Sequence, residues 1–419
     1  MAVYYVEGGN CLFGECEIQG SKNAVLPLMA AALLNEGYTV LHNCPNIKDV
    51  HYMSDILCDL GCKIWHDKNL LIIDATEISP GAIGGESVSN VRASILIAGA
   101  MLSRVGHVMI GLPGGCRIGE RPTDFHFDAF EKMGVSIIHY EDGVECECDR
   151  MKGCEINLPF PSVGATENII LAATGAEGIT IINGAAREPE IVDLCLLLQQ
   201  FGILVEGAGT SRITIKGSKG LTGGDVAHSV ISDRIVAGTY AYAAAAAKGC
   251  ITCKINNLPM MESILNPLSL LGCKIEYGND YFKVTCHEMH NGLGSIVTAP
   301  YPGFPTDMQS QLMSVLVTVP GKSVIEENIF EKRYHIAGEL AKMGACIHIK
   351  NDIAVIEGVD CLHGENVRVC DLRGGAALII AGLCAKGATV VDDAFGYIDR
   401  GYENIVGDFT RLGGCIQYE

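Results

Sequence analysis

Tryptophan occurs once in the 419 residues, and no apolar run approaches membrane-spanning length. The longest, Tyr240 to Ala247 and Ala376 to Ala385, fall well short of the ~18 residues a spanning helix needs. Met1 to Gly9 lacks a basic stretch followed by an apolar core, so no secretory signal is expected and a cytoplasmic location is. There is no Walker A loop and no GxGxxG between a strand and a helix. GSKNA at Gly20 has its lysine without the spaced glycine before it. ATP and nicotinamide are therefore not expected, and no cofactor of any kind is. The histidines form no group with metal spacing. Cys250–Cys253 makes a CxxC and Cys146/Cys148 a CxC, but neither has a second half nearby, so no metal is expected. Positive charge is scarce too: 30 Lys and Arg stand against 49 Asp and Glu, a net charge of −19. That field makes nucleic acid and anionic membrane surfaces poor partners. An anionic substrate has to be held by locally clustered cations.

Cysteine and glycine are abundant, with 19 and 50 residues respectively. The cysteines follow no disulfide framework, and free thiols are expected. One of them sits in a stretch with almost nothing to pack, GLPGGCRIGERP from Gly111 to Pro122. The Gly114–Gly115 pair permits backbone angles closed to other residues, so the stretch reads as a loop. Cys116 lies between glycines and Arg117, with Arg121 close behind. Neighbouring guanidiniums favour a thiolate, which makes this thiol a reactive candidate. The plainer alternative is that Cys116, like most cytosolic cysteines, is a small buried apolar residue.

Internal repetition decides the fold. A phrase of apolar residues, a glycine and a strand-like run recurs six times, at Gly61, Gly134, Gly202, Gly272, Gly344 and Gly413. The copies stand 73, 68, 70, 72 and 69 residues apart. Each predicts a helix ending at its glycine and a strand at once after it. Upstream of each lies a second phrase, a helix rich in Ala, Leu and Ile; KNAVLPLMAAALLNEGYTV and RGGAALIIAGLCAKGATVV are two copies. These helices are apolar on nearly all faces and must be buried all round. The expected fold is α/β: a two-domain, inside-out barrel of six repeats of about 70 residues, with helices buried and sheets outside. Six such units exceed what one core supports. One domain is placed at residues 22–231 with the Cys116 loop, the other at 1–21 plus 232–419, and the active site in the cleft between them. The N-terminal strand Val3 to Ile18 has no helix phrase of its own and is expected to pair into the second domain.

The buried helices begin with polar residues: Ser21-Lys22-Asn23, Arg92, Thr166-Glu167-Asn168, Asp233-Arg234, Thr306-Asp307 and Asp371-Leu372-Arg373. Ser, Thr and Asp there cap free N–H groups. Lys22 and Arg92 oppose the helix macrodipole, which points to an anion at these helix mouths or, more plainly, to cations solvated there. Asp307 is either a helix cap or a base for a substrate hydroxyl. Arg400 is either an anion ligand or the partner of Asp399 or Glu403. Glu188 and Glu190 open a helix beside Pro189, which the dipole explains as well as function does.

The motifs GSKNAVLP, VRASI, LPGGCRIGERPTD, PSVGATEN, AAREPEIVD, SDRI, FPTDMQ, CDLR and IDRGYE, in this order, closely resemble the UDP-N-acetylglucosamine 1-carboxyvinyltransferases, a branch of the enolpyruvyl transferase family. The resemblance runs from about Gly8 to Glu403. It implies transfer of the enolpyruvyl group of phosphoenolpyruvate to the 3′-hydroxyl of UDP-N-acetylglucosamine with release of phosphate, the first committed step of peptidoglycan synthesis. It further implies that Lys22, Arg121 and Arg400 hold phosphoenolpyruvate, with Asn23, Arg92 and Arg373 in support. Cys116 is implied as general acid or product-release group and as the thiol alkylated by fosfomycin, and Asp307 as acceptor of the hydroxyl proton. The UDP-sugar is implied to lie against Asn23, Arg92, Arg121, Pro122, Thr123, Asp124, Phe125, Ser162, Val163, Gly164, Asp307, Ile329 and Arg333. One departure stands out: some members place a lysine two residues before Ser-Val-Gly, where this chain has Phe160-Pro161.

Overall fold

The computed structural model describes all residues except 1, 80, 81, 84, 112, 113, 115–118, 120–122 and 219–222. The described chain forms two compact units. One comprises the described residues of Gly20–Gly115 and Arg121–Ile231, the other those of Met1–Gln19 and Ser232–Glu419 together with Gly119. Among the described residues each unit has three four-stranded sheets.

All six phrase glycines do what the sequence predicts. The helices Lys48–Asp59, Asp124–Lys132, Pro189–Gln200, Glu262–Leu270, His335–Lys342 and Ile405–Arg411 each stop two residues before their glycine. The glycines have φ between 88° and 99°, and a strand starts two residues later. Only glycine enters that region without steric cost, so the repeat spacing is a record of six left-handed turns.

The third repeat shows the layout. Strand Glu155–Asn157 runs parallel to Ile179–Asn183, and the apolar helix Val163–Ala173 makes the crossover. Ile179–Asn183 pairs antiparallel with Arg212–Lys216, which pairs antiparallel with Leu204–Glu206. The crossover helices are buried nearly throughout; Arg234–Ala246 is buried at every residue. Their sheets alternate buried and half-exposed positions, as in Arg212–Lys216, so the helices occupy the inside of each unit and the sheets its outside.

The N-terminal segment is two strands. Ala2–Glu7 lies antiparallel between Ala388–Asp393 and Cys415–Tyr418, and Phe13–Glu17 runs parallel to Cys250–Lys254. The first repeat draws its opening strand from far along the chain, since Val226–Ser229 runs parallel to Tyr38–His42.

Where inner helices touch, small residues bring backbones together. In the first unit Leu96–Val105 and Val163–Ala173 run side by side in the same direction. Gly99 N–H donates to Asn168 Oδ1 at 2.8 Å near one end, and the Ser103 and Thr174 hydroxyls lie 2.7 Å apart near the other. A methyl on Gly99 would sit 2.3 Å from the Asn168 carbonyl oxygen. Gly99→Ala is therefore expected to cost about 2–3 kcal/mol by overpacking against backbone. Gly202→Ala, at φ +88° with nothing within 4 Å of the added carbon, should cost only about 1 kcal/mol of left-handed strain. Urea midpoints of the two variants measure the difference, and equal losses would contradict the packing account.

Burial also acts on Glu167, in the same helix. Its carboxyl is pushed well above the ordinary 4.5, by desolvation first and then by Glu190 and Glu188. A raised folded value means the fold favours the proton-bound form. Its stabilising effect is complete below the ordinary value and is lost as pH rises through the folded one. Glu167→Gln keeps the neutral shape, so wild type is expected to lose stability relative to this variant as pH rises above the ordinary value. A gap that stays constant across that rise in urea titrations would refute the assignment.

Candidate active site

In the unit of residues 232–419, the inner helices present their starts to one another. Asp233 and Asp371 are true caps. Asp233 Oδ1 accepts the N–H groups of Ile235 and Val236 at 2.8 and 3.0 Å, and Asp371 Oδ1 accepts those of Arg373 and Gly374, both at 3.0 Å. The third start differs from expectation. Thr306–Met308 is a single 3-10 turn ahead of the helix Gln309–Leu316, and no side-chain cap forms there. Asp307 is thereby released for another task. Its Oδ1 accepts from Arg333 Nη2 at 2.7 Å and its Oδ2 from Arg373 Nη2 at 3.1 Å. Both arginines are buried, 2% and 3% exposed.

The surroundings hold this triad still. Thr306 Oγ1 accepts from Arg333 Nη1 at 2.9 Å and donates to Glu327 at 2.8 Å. Glu327, itself buried, also accepts from Thr298 and from the N–H groups of Ile329 and Phe330. It thus pins the turn after strand Lys322–Glu326 that carries Ile329 and leads to Arg333. Arg373 lies 5.7 Å from the centre of the Tyr402 ring. The Tyr402 hydroxyl meets Thr239 Oγ1 at 2.9 Å, and Gln311 donates to the same Thr239 oxygen at 3.2 Å, which joins the starts of all three helices. Burial works against the Arg373 charge; Asp307 first, then Tyr402 and Asp233, outweigh it and move its pKa upward. One carboxylate is thus shared by two guanidiniums. Arg373 Nη1 and Arg333 Nε, both buried, have no hydrogen-bond partner among the described residues. Buried donors of this kind are rarely left unsatisfied without a ligand.

In the unit of residues 20–231, Lys22 and Asn23 open the helix Lys22–Ala32. Lys22 Nζ is 2.8 Å from Asp49, a 1% exposed residue in the first turn of Lys48–Asp59. Asp49 therefore offsets the conflict between Lys22 and its helix dipole. Arg92 lies in the 3-10 turn Arg92–Ile95 and not in the first turn of the helix Leu96–Val105 that follows, because the chain tightens before the helix begins. The macrodipole penalty inferred from sequence for Arg92 does not hold in that form. Ser162 caps Val163–Ala173, accepting from Ala165 N–H at 3.4 Å, and Val163 and Gly164 form the first turn. Thr123 precedes the helix Asp124–Lys132, whose first residues are Asp124 and Phe125. Phe160, in place of the lysine of some relatives, is exposed. Arg400 is buried in the turn Ile398–Arg400. Cys116, Arg121 and Pro122 lie outside the described residues.

Of the residues singled out from sequence, Asp307, Arg333 and Arg373 are brought into direct contact. Ser162–Gly164 and Thr123–Phe125 stand at the starts of two helices linked through His126. That histidine, with Asp49, Glu327, Thr239 and Tyr402, is what sequence reasoning missed. Of these only Tyr402 falls within a motif singled out from sequence, IDRGYE. Among the described residues no group of His, Cys, Asp or Glu is arranged to hold a metal ion, and no helix is long and apolar enough to cross a membrane.

Comparison with known proteins bears on this arrangement. The family profile of EPSP synthase (3-phosphoshikimate 1-carboxyvinyltransferase) matches residues 6–409. The UDP-N-acetylglucosamine 1-carboxyvinyltransferase 2 of Caldanaerobacter subterraneus subsp. tengcongensis is 45% identical over 416 residues, covering 99% of both chains. UDP-N-acetylglucosamine 1-carboxyvinyltransferase 1 of Staphylococcus epidermidis is 43% identical over 98% of both. Among solved structures, the enolpyruvyl transferase NikO from Streptomyces tendae superposes with a TM-score of 0.88 at 23% identity, covering 100% of this chain and 99% of its own. EPSP synthase from Acinetobacter baumannii gives 0.75 at 17% identity over the full length of both, a likeness of fold alone. With the α/β architecture, the full-length match and the identity levels in agreement, the chain belongs to the enolpyruvyl transferase family, in the branch of the UDP-N-acetylglucosamine 1-carboxyvinyltransferases.

Proposed function

We propose that this enzyme moves the enolpyruvyl group of phosphoenolpyruvate onto the 3′-hydroxyl of UDP-N-acetylglucosamine and releases phosphate, as the first committed step of peptidoglycan synthesis in the cytoplasm. The observation that carries the reading is the Asp307 carboxylate shared by two buried guanidiniums that keep unused donors. A carboxylate offers about four lone-pair positions and is the most basic group at this point of the site, so Asp307 is suited to receive a proton from a hydroxyl. The spare guanidinium N–H groups suit a substrate that is itself anionic.

The reaction adds the sugar hydroxyl across the double bond of phosphoenolpyruvate. The oxygen bonds to C2, its proton goes to Asp307, and a proton arrives at the C3 methylene. The resulting tetrahedral intermediate carries carboxylate and phosphate together. Cleavage of the C2–O bond to phosphate and loss of a C3 proton then restore the double bond in the product. Fixed cations stabilise this polyanion without reorganising, and that is where most of the rate is to be found. Lys22, Arg121 and Arg400 hold phosphoenolpyruvate, supported by Asn23, Arg92 and Arg373. Cys116 acts at the methylene carbon. Asn23, Arg92, Arg121 to Phe125, Ser162 to Gly164, Asp307, Ile329 and Arg333 receive the UDP-sugar. No step involves a metal or an organic cofactor.

Asp307→Asn retains the hydrogen-bonding volume between the arginines but cannot take a proton, and turnover is expected to fall ~100-fold or more. Cys116→Ala should fall comparably. Unchanged turnover in either folded variant removes that residue from its role. The acceptor is tested by phosphate release from phosphoenolpyruvate with UDP-N-acetylglucosamine against shikimate 3-phosphate. Release with the latter alone would overturn the substrate assignment. Mass spectrometry after fosfomycin treatment should place a single adduct on Cys116 among the 19 cysteines.

A further inference from the structure

His126 lies in the first turn of Asp124–Lys132 and is only 5% exposed. Its Nδ1 is 2.9 Å from the Asn168 amide nitrogen. Asn168 has no freedom in how it presents that amide. Its Oδ1 accepts from Gly99 N–H at 2.8 Å, and its Nδ2 also donates to the Ile95 carbonyl at 3.0 Å. The Asn168 nitrogen must then donate to His126, so Nδ1 is the acceptor and the ring proton sits on Nε2. Burial, followed by the nearby Arg92 charge, lowers the His126 pKa to about 3, so the ring stays neutral.

The other edge of the ring faces the start of Val163–Ala173. A carbon placed on Gly164 would lie 3.5 Å from Cε1 and 3.7 Å from Nε2. Among the described residues Nε2 has no hydrogen-bond partner, although the ring is more than nine-tenths buried. Here an eleven-residue helix presents its first N–H groups, and the neutral N–H of a side chain only 5% exposed lies beside the same place.

We propose that His126 is a positioning residue for the diphosphate of the nucleotide sugar, donating Nε2–H to a phosphate oxygen held at the start of Val163–Ala173, with Asn168 fixing the tautomer. This rests on the UDP-sugar reading above and adds a donor to it. A neutral donor suits the spot: it binds phosphate without placing a buried cation beside the Arg92 charge, which would repel it.

The test compares wild type with His126→Phe, which keeps the ring volume and removes both nitrogens. KM for UDP-N-acetylglucosamine is expected to rise ~10-fold or more, the worth of one hydrogen bond to a charged group, while KM for phosphoenolpyruvate changes little. Calorimetry with UDP alone should show the same loss. Imidazole nitrogen NMR of the full chain, with the His126 signal assigned by its absence in the variant, should show a proton on Nε2 and a shift of that nitrogen when UDP is added. A lowered Tm with unchanged KM and UDP affinity would assign His126 a packing role only and overturn the proposal, as would a proton on Nδ1. A wild-type enzyme that neither binds UDP nor uses the sugar nucleotide would instead sink the underlying substrate reading.

Discussion

Burial of the inner helices on every side governs where chemistry is possible in this protein. A helix such as Arg234–Ala246, with no exposed residue, offers no flank for a charged side chain. Polar residues are tolerated at its ends, where four N–H groups need partners in any case. The fold therefore moves polar functionality to helix starts as a consequence of its layering. Asp233, Asp371, Lys22 and Ser162 all occupy such positions.

Each charge admitted there has a counter-charge, and the pairing is local. Lys22 has Asp49; Arg333 and Arg373 have Asp307 between them. In the second arrangement one carboxylate bridges two buried guanidiniums. Removing a partner from a buried ion pair is costly, typically about 3–5 kcal/mol, because the remaining charge is stranded. A ligand with acceptor oxygens would satisfy the guanidinium N–H groups of Arg333 and Arg373 that lack partners among the described residues. On the proposed mechanism Asp307 serves as counter-ion before reaction and as proton acceptor during it. The two duties are compatible while the polyanionic intermediate supplies negative charge to the guanidiniums as Asp307 is neutralised.

The repeat was legible because its signal is a backbone requirement. Glycines at a spacing near 70 residues mark left-handed turns that other residues enter only with strain, and all six fall where helix gives way to strand. The helix starts were legible for a similar reason, as polar residues before an apolar run. What the sequence does not encode locally is partnership. Asp307 meets residues 26 and 66 positions away, and Asn168 meets His126 and Gly99 at 42 and 69. Those separations are set by the packing of neighbouring repeats. The same limit explains Arg92: a short 3-10 turn and a helical first turn look alike in sequence, but only the second places the side chain in the helix dipole.

Asn168 shows how one residue can serve both stability and recognition. Its oxygen satisfies Gly99, where two helices approach too closely for a methyl group, and its nitrogen then has a single orientation left. That orientation decides which nitrogen of His126 carries the proton. The close packing of the inner helices, required to bury them, thereby reaches the electronic state of a side chain at the mouth of the next helix. A tautomer set by an amide already committed to the core does not reorganise when a ligand arrives, and preorganised donors of this kind bind phosphate without the entropic loss of ordering a free side chain.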